Sequence, residues 1–176
     1  LLKVALLALS VTAAVGSVML TMFITLYPSF MQYMGGTFKV MMPLYALVFV
    51  GTTFLTIAYY YSWDRMAAPG SKWVHLSIGV LAVVFGTSLL LLANAWSAFM
   101  MAPSGVDGQG RYLGNPWHLL RSALWNPLNL HRFLADIMSG GAVVLAYACY
   151  RFFSGKSQEE RAYYDWVGYV FLFVTV

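Results

Sequence analysis

Long stretches of the chain carry no charged side chain, and this constrains its fold more than any other feature. Residues 4–38 contain no Asp, Glu, Lys or Arg, and only 9% of the whole chain is charged while 61% is hydrophobic. A soluble domain carries about 25% charged residues, so this chain could not cover its own surface in water. A helix of about 20 apolar residues crosses the hydrocarbon core of a bilayer. The sequence therefore predicts an integral membrane protein.

The apolar runs are separated by short polar segments, which predicts an all-α fold, a polytopic bundle of transmembrane helices. We expect four full spans and a truncated fifth, at about residues 4–26, 40–61, 73–101, 128–153 and 163–176. These spans form one predicted transmembrane domain over residues 1–176. Because the last apolar run is cut short, we expect the chain to be an internal fragment of a longer polypeptide.

Two connections between the spans have distinct predicted structures. Pro28 is expected to end the first span, because proline disfavours helix at the preceding residue, and a short connector with Gly35, Gly36 and Lys39 follows. The largest loop covers residues 102–127. Within it, Pro116–Trp125 has proline at its start and apolar residues at helical spacing, which predicts a short helix lying in the membrane interface.

The basic residues predict how the chain is oriented in its membrane. Cytoplasmic loops carry the excess of Lys and Arg, so the more basic side is predicted to be cytoplasmic and the loop 102–127 to face outward. The expected location is a bacterial inner membrane. The basic residues do not cluster as a nucleic-acid-binding surface would require. The predicted cytoplasmic side carries six basic residues, Lys3, Arg65, Lys72, Arg151, Lys156 and Arg161. The opposite side carries four, Lys39, Arg111, Arg121 and Arg132.

Three histidines are candidate haem ligands, because neutral imidazole is the usual protein ligand of haem b. His75 lies at the start of the third span, His118 in the interfacial helix and His131 near the start of the fourth span. The alternative is that histidines at an interface bond only to lipid headgroups or loop carbonyls. His131 is the first candidate for the haem iron because of the polar residues that follow it.

Those polar residues are Arg132 and Asp136, which lie one helical turn apart. A charge within an apolar span is costly and normally faces the bundle interior with a partner. The two residues could simply form an ion pair, or they could handle protons or contact a quinone headgroup beside a cofactor. Asn94 in the third span could likewise bond across helices.

Three segments, in order, resemble subunit I of the cytochrome bd quinol oxidase family. They are YYYSWDR (59–65), similar to the family's aromatic run ending in WDR; LLLLANAWSAFMMAPSG (89–105), similar to its segment at the end of a span; and WNPLNLHRFLADIMSGG (125–141), similar to the start of its haem-bearing helix. LTMFITLYPSF (20–30) is similar to a fourth family segment.

The resemblance also shows where this chain departs from the family. The family's low-spin haem b histidine corresponds to Ala135 here, and His131 lies one turn earlier on nearly the same face. The family's glutamates in the second span, tied to proton delivery, would fall around Leu44 and Thr52, and residues 40–61 contain no carboxylate.

The resemblance implies a bd-like membrane subunit of a respiratory electron-transfer complex. We expect it to relay electrons between quinol and partner cytochromes through b-type haem, or to anchor that complex. The alternatives are a genuine bd-type quinol:oxygen oxidoreductase subunit, which would be an enzyme, and a non-redox structural or transport subunit. The expected partners are the bilayer, other membrane subunits and a cytochrome c or iron–sulfur protein.

Overall fold

The computed structural model describes residues 2–66, 71–155 and 157–176. Six α-helices and one short 3₁₀ helix form this part of the chain, and the only strand-like pairing in it is an isolated bridge between Val106 and Tyr112. The all-α prediction is thus confirmed. The α-helices are α1 (Leu2–Leu26), α2 (Pro28–Thr37), α3 (Met41–Arg65), α4 (Lys72–Met101), α5 (Trp125–Ser154) and α6 (Gln158–Thr175).

Four of the described helices, α1, α3, α4 and α5, are long and apolar enough to cross a membrane. They correspond to the four predicted full spans, with ends that differ by no more than a few residues. The predicted fifth span lies in α6, which begins earlier than expected because the Ser157 side chain accepts a hydrogen bond from the Glu160 backbone N–H. α6 carries Glu159, Glu160, Arg161 and Asp165 in its first half.

The predicted short connector after the first span is wrong, because Pro28–Thr37 form a helix of 10 residues. Proline lacks a backbone N–H, but the N–H groups in the first turn of a helix have no partner within that helix. Pro28 can therefore begin α2 as well as end α1. Gly35 and Gly36 lie inside this helix. α2 packs against α1 and contributes Met34 to the buried core.

The chain divides into two compact units, residues 1–127 and 128–176. In the first unit, α3 and α4 form an antiparallel pair that packs closely at small residues. A Cβ placed on Gly79 would lie only 2.8 Å from Cε2 of Tyr59. Glycine therefore lets the Tyr59 ring lie against the backbone of α4.

The buried core of the first unit lies at the end of α4 that leads into the largest loop. Phe38 stacks at a tilt on Trp96, with ring centroids 5.2 Å apart, and meets Phe99 edge to face at 5.5 Å. Contacts between large aromatic rings of this kind stabilise a core, so they contribute to the packing of this unit. The buried members of the core are Met34, Phe38, Met41, Ala95, Phe99 and Leu119.

The loop after α4 folds back onto that helix. The Ser122 hydroxyl donates to the carbonyl of Ala102 at 2.8 Å, and the Trp125 indole N–H donates to the carbonyl of Leu91 at 3.1 Å. The predicted interfacial helix is shorter than expected, a 3₁₀ helix of six residues over Pro116–Arg121. The predicted interfacial helix therefore does not continue to Trp125. Instead, Ser122 and Trp125 donate hydrogen bonds to carbonyls at and near the end of α4.

The second unit is a hairpin of α5, from residue 128 onward, and α6. Arg151 forms an ion pair with Glu160 and lies over the ring of Tyr164, 5.2 Å from its centroid. These contacts join the end of α5 to the start of α6. Lys156, which the charge count placed on the cytoplasmic side, lies outside the described residues.

Candidate functional sites

His75 is held by three side chains from the end of α3. Its Nδ1 lies 2.7 Å from the Ser62 hydroxyl oxygen, its ring stacks on Tyr59 at 4.2 Å between centroids, and the Trp63 ring meets it edge to face at 5.3 Å. Ser62 is buried, and His75 is half-buried. The aromatic segment 59–65 thus surrounds His75, one of the three candidate haem ligands.

The Ser62 hydroxyl makes a second contact besides the one with His75. The Ser62 hydroxyl donates to the Tyr59 carbonyl at 3.1 Å. A hydroxyl has one proton, so both contacts of Ser62 are hydrogen bonds at once only when His75 Nδ1 is the donor. With Nδ1 engaged by Ser62, Nε2 is the ring nitrogen that remains to bind a metal.

His118 lies in the loop beyond the other end of α4. A Cβ on Gly105, which has φ +72, would lie 2.6 Å from the Cβ of His118, and the His118 carbonyl accepts a hydrogen bond from Ser104 at 2.6 Å. Since α4 has 30 residues, its two ends are about 45 Å apart. The structure therefore does not bring His75 and His118 to one haem.

Asn94 is fully buried in α4 and has interaction partners. It directly precedes Ala95, which belongs to the buried core with Phe38 and Phe99. This position fits the expected role of an amide that bonds inside the helical bundle.

His131, Arg132 and Asp136 lie on α5, and all three are exposed. Asp136 is about 17 Å along the helix from Trp125, at 1.5 Å per residue, in a helix apolar enough to span a membrane. Ala135, at the position of the family's histidine, has no group that could bind a metal. His131 is therefore the imidazole available on this face of α5.

Two apolar cavities in the first unit were not predicted. One, of about 300 Å³, is lined by residues that include Phe38, Tyr45 and Trp96. The other is a groove of about 600 Å³ along α3 and α4, also lined by Leu2 of α1, that includes Tyr59 and Gly79. Neither is lined by a histidine. The sequence contains a signal for the second cavity, because an aromatic run at the end of one span (59–61) and a glycine in the next span (Gly79) permit close contact between the two helices.

The residues present fit a haem in the chemistry of their donor atoms. Groups of three or more His, Cys, Asp or Glu that could hold a metal are absent from the described residues, but haem iron needs only one or two axial side chains. The exposed imidazole of His131 and the oriented imidazole of His75 each offer one such ligand.

The comparisons with known proteins agree with the residues quoted above. The family model of cytochrome bd terminal oxidase subunit I matches residues 1–176. No curated protein and no solved structure shows a significant match to the chain. The predicted resemblance is confirmed over the whole length, and with it the expectation of a membrane protein of electron transport. The chain belongs to the cytochrome bd terminal oxidase subunit I family, and it is a quinol oxidase-like membrane subunit.

Proposed function

We propose that this chain relays electrons between quinol and a partner cytochrome of a respiratory membrane complex, through a b-type haem bound at His131. The haem would supply one-electron transfer through its iron when bound. His131 would donate its imidazole to that iron. The guanidinium of Arg132 is suited to a propionate carboxylate, and Asp136, one turn further along the helix from Arg132, is suited to accepting a proton.

The observation that carries the proposal is the exposure of charged and polar side chains within a membrane-spanning helix. An Asp at the centre of a span costs about 2.5–3.5 kcal/mol on insertion scales, and such residues face a bundle interior or a cavity. Arg132 and Asp136 are both exposed one turn apart on α5, and the exposed His131 directly precedes Arg132. These sides of the helix would therefore be covered by a cofactor or by another helix rather than by lipid.

The residues of α3 favour a relay over an oxygen-reducing enzyme. Reduction of oxygen consumes protons, which need a path of titratable groups through the membrane. α3 has a single carboxylate, Asp64, in its last turn. In the region where the resemblance places a glutamate, the Thr52 hydroxyl donates to the Val48 carbonyl of its own helix.

The experiment is a dithionite-reduced minus oxidised absorption spectrum of the purified complex, with a pyridine haemochrome assay for haem type. The proposal predicts a b-type band that belongs to this subunit and no d-type band. Bands of both types would favour the alternative, a bd-type quinol oxidase. A complex without haem on this chain would contradict the relay and leave an anchoring or transport subunit.

A further inference from the structure

A groove between α5 and α6 lies in the second unit, and its volume is about 430 Å³. Side chains that recur on one face of each helix line it, and they include Leu145, Cys149 and Phe153 on α5 and Asp165, Tyr169 and Leu172 on α6. Phe153 is 81% exposed and Tyr169 is 62% exposed. A molecule dissolved in the bilayer can therefore enter this α5–α6 groove from the side.

The two ends of the α5–α6 groove lie at different depths in the membrane. With α5, about 45 Å long, centred on a hydrocarbon core of about 30 Å, about 7 Å of the helix projects at each end. Cys149, which lines the groove with Asp165, is about 8 Å from Ser154, the last residue of α5. Leu172 is about 10 Å further along α6 than Asp165. The end at Asp165 is therefore near the boundary of hydrocarbon and headgroups, and the end at Leu172 is nearer the middle of the bilayer.

Asp165 gives its end of the groove a negative charge. It is exposed, and among the described residues of the lining it alone is charged. Arg161 lies one turn before it on α6, but Arg161 Nε donates to the carbonyl of Gly155 at 3.0 Å. No ion pair between residues that the structure describes includes Asp165. Because a carboxylate at the edge of the hydrocarbon core is costly without a partner, this end of the groove is suited to a cation.

Aromatic rings beside Asp165 also favour a cation. The rings that line the groove are those of Phe152, Phe153, Tyr164 and Tyr169. A cation within about 6 Å of a ring centroid is attracted by the face of the ring. Such a contact is present on Tyr164, where the guanidinium carbon of Arg151 is 5.2 Å from the centroid, and the charge of Arg151 is itself balanced by its ion pair with Glu160. An ammonium group in the groove would therefore find both a carboxylate and the faces of rings.

We propose that the α5–α6 groove binds a phosphatidylethanolamine molecule of the bilayer, whose ammonium group donates to Asp165 and whose acyl chain lies along Leu145 and Leu172. A primary ammonium has three N–H donors, so it can bond to a carboxylate and lie against a ring at once. A lipid has its charged headgroup at the boundary and its apolar chain toward the middle of the bilayer, which is the order of polarity along the groove. Phosphatidylglycerol has no cationic group to pair with Asp165.

A basic side chain on a helix of a neighbouring subunit would bring the same charge to Asp165, but the size of the groove favours the lipid. Between Leu145 and Phe153 the groove extends about 12 Å, and a helix about 10 Å across would occupy roughly 900 Å³ over that length. That is about twice the volume of the groove, about 430 Å³. Since a single acyl chain is much narrower than a helix, the groove accommodates the chain more completely.

The test is photolabelling of the complete membrane complex in nanodiscs of phosphatidylglycerol that contain a trace of photoreactive lipid. One probe is phosphatidylethanolamine with a diazirine in one acyl chain, and the matched probe is phosphatidylglycerol with the same chain. Label is mapped by mass spectrometry after irradiation. We expect the groove residues to carry about ten-fold more label from the ethanolamine probe than from the glycerol probe. At Val18, which is 61% exposed on α1 and does not line the groove, the two probes should label equally.

Asp165→Asn tests the charge, because the side chain keeps its shape but loses its negative charge. We expect label from the ethanolamine probe at the groove to fall about ten-fold, to the level of the glycerol probe. Glu159→Gln is the matched control, since it removes one negative charge from the first turn of α6 at an exposed residue that does not line the groove. Its labelling should match wild type.

Gly168→Leu tests the space, because its side chain would enter the groove. A Cβ at position 168 would lie 4.0 Å from Cδ1 of Leu145, which is an ordinary contact, so the helices need not move apart. We expect label from the ethanolamine probe at the groove to fall about ten-fold, with the helix content by circular dichroism unchanged. Gly140→Leu, on α5 outside the groove, is the control and should be labelled like wild type.

Equal labelling of the wild-type groove by both probes would overturn the proposal, because it would show a boundary lipid without recognition of its headgroup. Labelling by the ethanolamine probe that is unchanged in Asp165→Asn would overturn it as well. If neither probe labels the wild-type groove and Asp165→Asn releases a neighbouring subunit from the complex, a basic side chain of that subunit occupies the groove instead of a lipid. None of these measurements depends on a haem, so this proposal is tested separately from the electron relay.

Discussion

Gly141 of α5 faces Val174 of α6 so closely that a Cβ at position 141 would lie 2.9 Å from Cγ1 of Val174. The hydroxyl oxygen of Thr175 would be 3.1 Å from the same Cβ. Gly141 is buried, whereas its neighbour Gly140 is exposed. The two adjacent glycines therefore have different roles, and only Gly141 sets the distance between the helices of the second unit.

Replacement of Gly141 by Leu should destabilise the second unit by about 1–3 kcal/mol, because the new side chain overpacks a close helix contact. Gly140→Leu is the control, since a Cβ there meets no described atom within 4 Å. Thermal unfolding in detergent would measure both. Equal melting temperatures for the two variants would contradict the packing of α5 against α6.

Replacement of Ser62 by Ala should destabilise the pairing of α3 with α4, because it removes the bond to His75 Nδ1 and leaves a partly buried ring nitrogen without that partner. Such a loss costs about 1–3 kcal/mol. Ser77→Ala is the matched control, since the exposed Ser77 hydroxyl only donates to the Trp73 carbonyl of its own helix. The measurement is denaturant unfolding followed by tryptophan fluorescence. An equal change in the free energy of unfolding for Ser62→Ala and Ser77→Ala would contradict the account.

The turn at Asp107 should loosen in acid. The pKa of Asp107 lies below its ordinary value of 3.8, chiefly because its carboxylate accepts a hydrogen bond from the Arg111 backbone N–H. Burial opposes this effect, and bonds from the Gln109 N–H and the Arg111 side chain add to it. The folded turn thus favours the ionised carboxylate. Its contribution is fully present above that ordinary value and is lost as the pH falls through the lowered pKa.

Hydrogen exchange of the Gln109 and Arg111 amides would follow this change. Both amides donate to one Asp107 carboxylate oxygen, at 2.9 Å and 2.8 Å. Asp107→Asn, which removes the charge at every pH, should increase exchange at neutral pH and abolish the acid transition. An Asp107→Asn protein that is protected like wild type would show that the carboxylate charge does not hold the turn.

The four full spans could be predicted from the sequence, because an uncharged apolar run of about 20 residues is long enough to cross a bilayer as a helix. The sequence does not predict α2, since Pro28 indicates the end of a helix and Gly35 and Gly36 favour a connector. Intrinsic propensity disfavours glycine in helices, and packing of Met34 and Phe38 into the core outweighs it here. Packing between residues that are distant in the sequence cannot be predicted from the residue pattern of a short segment.

The arrangement around His75 could be predicted only in part. The sequence identified His75 and the aromatic segment 59–65 separately, but His75 and Ser62 are 13 residues apart on two helices. Whether two such residues meet depends on the rotation and register of the helix pair, which close packing at Gly79 determines. The position of His131 on α5, by contrast, followed directly from helical periodicity.

The most direct test of the account is the reduced minus oxidised spectrum of His131→Ala, compared with the double variant His131→Ala/Ala135→His. The account predicts that the single variant loses the b-type band of this subunit while keeping its helix content by circular dichroism. The double variant, which moves the imidazole one turn along the same face to the family's position, should regain a b-type band. A b-type band that is unchanged in His131→Ala would contradict the assignment of this residue as the haem ligand.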